Sequence, residues 1–175
     1  VDDPSRLRLG GSVGRALPGR DVKVVDENGQ EVPKGQIGEL WVRGPGTSSG
    51  YFQDPEGTAR AWGELGRGGW FRTGDLAHLD NDENIILEGR KKEVIIRGGN
   101  KIYPIEIESL LFSHAKILEV AVIGTSHPAL GEIALAFVIP RTGEDLTSEE
   151  ILAFLVGKDI ASYKLPEQVI VVDEF

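Results

Sequence analysis

Apolar residues along this chain follow two periods, and the change of period falls near residue 89. Before that point the pattern is one of short strands. Asp21-Val22-Lys23-Val24-Val25-Asp26 alternates in part, and Asn28-Gly29 after it is a turn dipeptide tolerant of positive φ. Gly38-Glu39-Leu40-Trp41-Val42-Arg43-Gly44 is a glycine-bounded strand with Leu40 and Val42 on one face. Residues 44–69 are rich in Gly, Ser, Pro and charge and read mostly as loop, with a short helix over Pro55 to Trp62 because proline suits a first turn. Leu76 to Leu79 and Asn84 to Leu87 fit a hairpin around Asp80-Asn81-Asp82-Glu83.

After Gly89 the pattern becomes mixed. Glu93 to Arg97 is rich in β-branched residues and predicts a strand. Pro104 to Phe112 predicts a helix, with Pro104 in its first turn and Ile107, Leu110 and Leu111 sharing a buried face. Glu119 to Gly124 and Glu132 to Pro140 are apolar strands. Thr147 or Ser148 caps a second helix that turns Ile151, Leu152 and Leu155 inward, and Gln168 to Val172 is a last strand. The chain therefore divides into a β-rich part, residues 1–88, and an α+β part, residues 89–175, with the break in the charged link Glu88 to Lys92.

Composition narrows the chemistry. A net charge of -9 argues against general nucleic-acid binding, which needs a basic surface, and against docking on anionic lipid. The one dense basic run is Arg90-Lys91-Lys92 with Arg97 and Lys101. No apolar stretch approaches the roughly 18 residues of a spanning helix. With no cysteine there are no disulfides, thiol nucleophiles or thiolate metal sites, which leaves the compartment open, with the cytoplasm as the default. The chain opens at Val1 and contains no methionine, so it is expected to be a piece of a longer protein.

Two motifs stand close together: Trp70-Phe71-Arg72-Thr73-Gly74-Asp75 and Gly89-Arg90-Lys91-Lys92-Glu93. Gly98-Gly99-Asn100-Lys101-Ile102-Tyr103-Pro104 follows directly. Glycine before an aspartate at a strand edge permits a tight turn and an outward carboxylate, which can accept two hydrogen bonds from a ribose diol. The Gly98-Gly99 stretch is not a P-loop, since the Gly-Lys-Ser/Thr ending is missing, and on its own it reads as a strand-to-helix turn. Glu106 and Glu108 lie two apart near a helix start, a stabilising place for acids rather than a catalytic pair. His78, His114 and His127 lack metal-ligand spacing, and no metal site is expected.

In this order and spacing the motifs resemble the signature of adenylate-forming enzymes: acyl-CoA synthetases, firefly luciferases and peptide-synthetase adenylation domains. Gly11 to Gly19, Gly38 to Thr58 and Tyr163 to Phe175 match the same family, so the resemblance runs from about Gly10 to Phe175. It implies an α+β fold: a distorted barrel-like subdomain ending the large domain, then a small mobile domain joined by a hinge. It further implies that Asp75 holds the ribose, that Arg90 contacts the same nucleotide, and that Lys92 is the hinge. The Gly98-Gly99 loop would border the pantetheine of CoA, with Lys101 placed to meet a CoA phosphate.

The form Gly-Arg-Lys-Lys-Glu is most similar to acyl-CoA synthetases. The implied substrates and cofactors are a carboxylic acid, ATP (released as AMP), Mg2+ and CoA, and the implied partner is the upstream part of the same chain, with a homodimer left open. The family's phosphate loop, its Thr-Glu motif and its catalytic lysine have no counterpart between Val1 and Phe175, and Lys164 belongs to a different, Tyr-Lys-x-Pro element. No catalytic residue is assigned here, and residues 1–175 alone are expected to be inactive. A peptide-synthetase adenylation domain, and a non-enzymatic module of the same fold, remain alternatives. The turn Asp80-Asn81-Asp82-Glu83-Asn84 departs from the family by lacking its usual glycine after the acidic residue.

Overall fold

A computed structural model describes residues 11–63 and 69–174. The expected starts and ends of the family match at Gly10 and Phe175, and the loop expected over 64–68, lie outside the described residues. The chain divides into two compact units, Val1–Lys91 and Lys92–Phe175.

The first unit is built on one antiparallel sheet of five strands: β1 (Ser12–Gly14), β2 (Asp21–Val25), β3 (Gly38–Arg43), β4 (Phe71–Leu79) and β5 (Ile85–Arg90). Their order is β1-β5-β4-β3-β2. Among the described residues the sheet is open, not barrel-like, with β1 and β2 as its edges. One face carries an apolar core of Val24, Leu40, Ala77 and Ile85, flanked by Val22, Val42, Leu79 and Leu87, as the alternation in β2 and β3 requires. The other face interleaves cations and indoles. Lys23 Nζ lies 4.8 Å from the Trp41 ring and 4.7 Å from Trp70, and Arg72 lies 4.9 Å from Trp41.

Helix α1 (Pro55–Trp62) starts where the sequence placed it, with Asp54 accepting from the Gly57 N–H at 2.7 Å. Trp62 is buried and packs on Phe71, ring centroids 4.4 Å apart. β1 was not visible as a strand in the sequence. It is three residues long and is held by its partner β5.

The β4–β5 loop is organised by Asp80. Its carboxylate accepts from the backbone N–H groups of Asp82 and Asn84 and from the Asn84 amide at 2.7 Å. The Asn84 side chain, against an opposing desolvation effect and helped by these backbone donors and the charge of Arg15, holds the Asp80 carboxyl below its ordinary range. Glu83 adopts φ 66°, the left-handed region that favours glycine. This is the loop that departs from the family by lacking a glycine. Glu83→Gly is expected to stabilise the first unit by about 0.5–1 kcal/mol, since left-handed strain of about 1–2 kcal/mol is relieved while glycine's extra unfolded-state freedom and the loss of an exposed ion pair to Lys34 offset part of it. All three tryptophans lie in this unit, so the urea midpoint read by indole fluorescence measures the shift. A lower midpoint would refute it.

The second unit is a mixed sheet backed by two helices. Its elements are β6 (Ile95–Arg97), β7 (Asn100–Ile102), α2 (Pro104–Phe112), β8 (Ile117–His127), β9 (Gly131–Pro140), α3 (Ser148–Val156) and β10 (Gln168–Val171). β8 and β9 form a long antiparallel hairpin, and on the other edge of β9 lie β10, parallel to it, and β6. Ile107, Leu111, Ile151 and Leu155 are fully buried against Ile95, Ile102 and Val138. Among the described residues no charged or polar residue is buried. Thr147 is the α3 cap, accepting from Glu150 N–H at 3.2 Å.

Two expectations are corrected. The strand expected to start at Glu93 starts at Ile95, because Lys91–Glu93 winds into a 3-10 turn. Residues 97–101, read as a strand-to-helix loop, are a β-hairpin: Arg97 pairs with Asn100, while Gly98 (φ 55°) and Gly99 (φ 85°) form a two-residue turn with both φ positive.

Candidate nucleotide site and acceptor hairpin

In Arg-Thr-Gly-Asp the threonine hydroxyl donates to the Leu40 carbonyl of β3 at 2.8 Å and accepts from the Asp75 N–H at 3.0 Å. Gly74 takes φ 75°, and a Cβ there would meet nothing within 4 Å, so glycine is required by the backbone and not by crowding. The pairing of β4 with β5 then shifts. Leu79, His78 and Ala77 face Ile85, Ile86 and Leu87, but Leu76 faces Gly89 and Asp75 faces Arg90. Continued regularly, the register would set Asp75 opposite Gly89. The bulge at Glu88 brings Asp75 and Arg90 face to face, the re-aiming of a side chain that bulges produce.

The resulting pair is close. Arg90 Nε lies 2.9 Å from Asp75 Oδ1, and the Asp75 side chain retains 30% exposure. Among the described residues Oδ2 accepts no hydrogen bond, so a half-exposed carboxylate keeps free acceptor capacity. The bulged Glu88 places Oε1 2.8 Å from His78 Nδ1, in ion-pair range but outside hydrogen-bond alignment. Lys91 reaches Glu39 on β3 at 3.0 Å, which fixes the start of the 3-10 turn, while Lys92 is exposed.

In the second unit, the Gly98-Gly99 turn stands at a hairpin tip. A Cβ on Gly99 would meet nothing within 4 Å. Lys101 is exposed on β7, opposite Ile96. The acids near the α2 start reach other elements: Glu108 accepts the Val122 N–H of β8 at 2.8 Å, and Glu106 pairs with Lys164. The histidines behave as local caps or neighbours. His127 Nδ1 accepts from Leu130 N–H, and His114 Nδ1 accepts from Lys116 N–H. Lys116 pairs with Glu150, a contact that raises the lysine's pKa.

Residues 106–175 match the AMP-binding enzyme C-terminal domain, and residues 1–52 match the AMP-binding enzyme family. Indoleacetate–CoA ligase of Aromatoleum aromaticum is 42% identical over 95% of this chain and 32% of its own length. Medium-chain fatty-acid–CoA ligase of Escherichia coli is 39% identical over 99% of this chain and 30% of its own. The crystal structure of ATP-bound MatB from Rhodopseudomonas palustris matches with a TM-score of 0.86 at 39% identity, covering 95% of this chain and 33% of that protein.

The chain belongs to the adenylate-forming, AMP-binding enzymes. It spans about a third of the length of these adenylate-forming relatives. Within the family frame, sequence reasoning singled out Asp75 and Arg90 but passed over Thr73, which shapes the strand, and Glu39, which holds Lys91. A threonine two residues before the aspartate is the available signal for the first, since its hydroxyl can cap that N–H. Nothing local signals Glu39, whose contact to Lys91 spans 52 residues. Among the described residues no three His, Asp or Glu side chains converge on a metal position, and no helix is long and apolar enough to cross a membrane.

Proposed function

We propose that this chain is the C-terminal part of an ATP-dependent acyl-CoA synthetase. The carboxylate of the acid attacks the α-phosphate of ATP, displacing pyrophosphate and forming acyl-AMP. The CoA thiol then attacks the acyl carbon, losing its proton as the C–O bond to AMP breaks. Asp75 holds the ribose hydroxyls through its free oxygen, and Arg90 orients that carboxylate and faces the same nucleotide. Lys92 is the hinge, and the Gly98-Gly99 hairpin with Lys101 borders the pantetheine arm. Mg2+ enters with ATP and is given no ligand from this chain. The cytoplasm, where ATP and CoA are both available, is the compartment assigned to it. No residue of this scheme has to come from a second copy, so the chemistry does not call for the homodimer left open above.

The observation that carries this reading is the cross-strand Asp75–Arg90 pair, created by the bulge and left with an open acceptor. The test uses the full-length gene product with ATP, Mg2+ and CoA against fatty, aryl and amino acids, following AMP and thioester by mass. Thioester on free CoA is the expected result. AMP release without CoA product would transfer the assignment to a carrier-protein acceptor, and no turnover on any acid would remove the enzymatic reading.

A further inference from the structure

The Gly98-Gly99 hairpin is anchored at its base by the buried Ile95 and Ile102, but its backbone pairing to the rest of the sheet is sparse. β7 is a three-residue edge strand, and β6 meets β9 at one residue pair, Arg97 with Gly131. So small a hairpin is marginal by itself. Backbone adds one further contact, Gly98 N–H to the Leu130 carbonyl at 2.7 Å.

Glu132 of β9 accepts from the Ile96 N–H at 2.7 Å, and the further side-chain anchors come from a distant segment, Ser162 to Glu167. Arg97, the last residue before the turn, donates through Nε to Glu167 Oε1 at 2.9 Å, and its guanidinium forms an ion pair with the same carboxylate. Lys164 Nζ donates to both oxygens of Glu106, each at 2.7 Å, and its side chain is only 19% exposed. These contacts bracket the stretch Arg97 to Glu106, which contains the whole tip. Exposed ion pairs often contribute little to stability. These two are partly buried and short, and they join a loosely paired hairpin to a segment some 60 to 70 residues away. Their consequence is placement.

We propose that Arg97–Glu167 and Glu106–Lys164 are positioning pairs for the thioester-forming half-reaction, locking the hairpin and the segment 162–167 into one part. This rests on the function proposed above. A loop held about 1 Å out of place can lower a rate on the order of a hundredfold. Pairs that act on the acceptor loop alone leave adenylate formation intact.

The experiment uses the full-length protein with Glu106→Gln, Glu167→Gln, the double variant, and the exchanged pair E106K/K164E. Acid-dependent ATP–pyrophosphate exchange reports the first half-reaction, and transfer from preformed acyl-AMP to CoA reports the second. Transfer is expected to fall about tenfold in each single variant and about a hundredfold in the double, with exchange within about twofold and substantial recovery in the exchanged pair. Equal losses in both half-reactions without recovery, or unchanged transfer, would overturn the proposal.

Hydrogen–deuterium exchange on the same variants gives a readout independent of turnover. Faster uptake across 98–102 and 162–167 together supports the anchoring, and unchanged uptake overturns it whatever the enzyme does. A wild-type protein that adenylates no acid would overturn the functional reading instead, leaving the anchoring to be decided by exchange.

Discussion

Asp75→Ala in the full-length protein is expected to lower acid-dependent ATP–pyrophosphate exchange by on the order of a hundred- to a thousandfold. A carboxylate accepting from a ribose diol makes two charge-assisted hydrogen bonds, and such bonds contribute about 1.5–3 kcal/mol each. Losing both removes at most about 3–6 kcal/mol, and water taking the place of the carboxylate holds the loss to the lower half of that range, at about 1.4 kcal/mol per tenfold. The same change leaves Arg90 without its partner 2.9 Å away. Asn in place of Asp separates the two effects, because it keeps one acceptor oxygen and the shape while removing the charge. An intermediate loss for Asp75→Asn, carried in the KM for ATP, is the expected pattern. Exchange within threefold of wild type in the alanine variant would remove Asp75 from the nucleotide site. Circular dichroism checks that the fold survives, as expected where the hydrogen bonds of the Thr73 hydroxyl to the Leu40 carbonyl and the Asp75 N–H do not use the aspartate side chain.

That pair also marks where sequence reading stops. Asp75 and Arg90 were identifiable as residues because each sits in a compact motif. Their opposition was not, because it depends on one extra residue, Glu88, in the β5 strand, and a one-residue slip changes every cross-strand partner. Two helices were legible to their ends, Pro55 to Trp62 and Pro104 to Phe112, and for the third the start and the inward face were. Pro104 to Phe112 carries both its start signal and its spacing, and Thr147 caps the next. The β6–β7 hairpin was not, since Asn100-Lys101-Ile102 is too short to display alternation and Gly-Gly reads equally as loop or as hairpin turn. β1 exists only through its pairing with β5. Local chemistry and periodicity identify elements, while register and ion pairs between distant segments are properties of the folded chain.

Lys92→Pro tests the hinge. Lys92 lies in the 3-10 turn Lys91–Glu93, at the division between the two compact units, and is exposed. Lys91 is tied back to Glu39 in the first unit, so backbone change at this junction must be absorbed from Lys92 onward. Proline fixes φ near -65°, inside the range of a 3-10 turn, and so tolerates the observed backbone while forbidding large rotation about that bond. A hinge needs a few residues that absorb such changes between half-reactions. The expected result is ATP–pyrophosphate exchange within about threefold of wild type, with thioester formation lower by at least on the order of a hundredfold and acyl-AMP accumulating on the enzyme. Lys92→Ala, which leaves φ free and removes the charge, is expected to retain both steps. If the alanine variant loses thioester formation as fully as the proline variant, the ammonium and not the backbone is what the second step requires. If the proline variant turns over normally, the rotation takes place elsewhere in the chain.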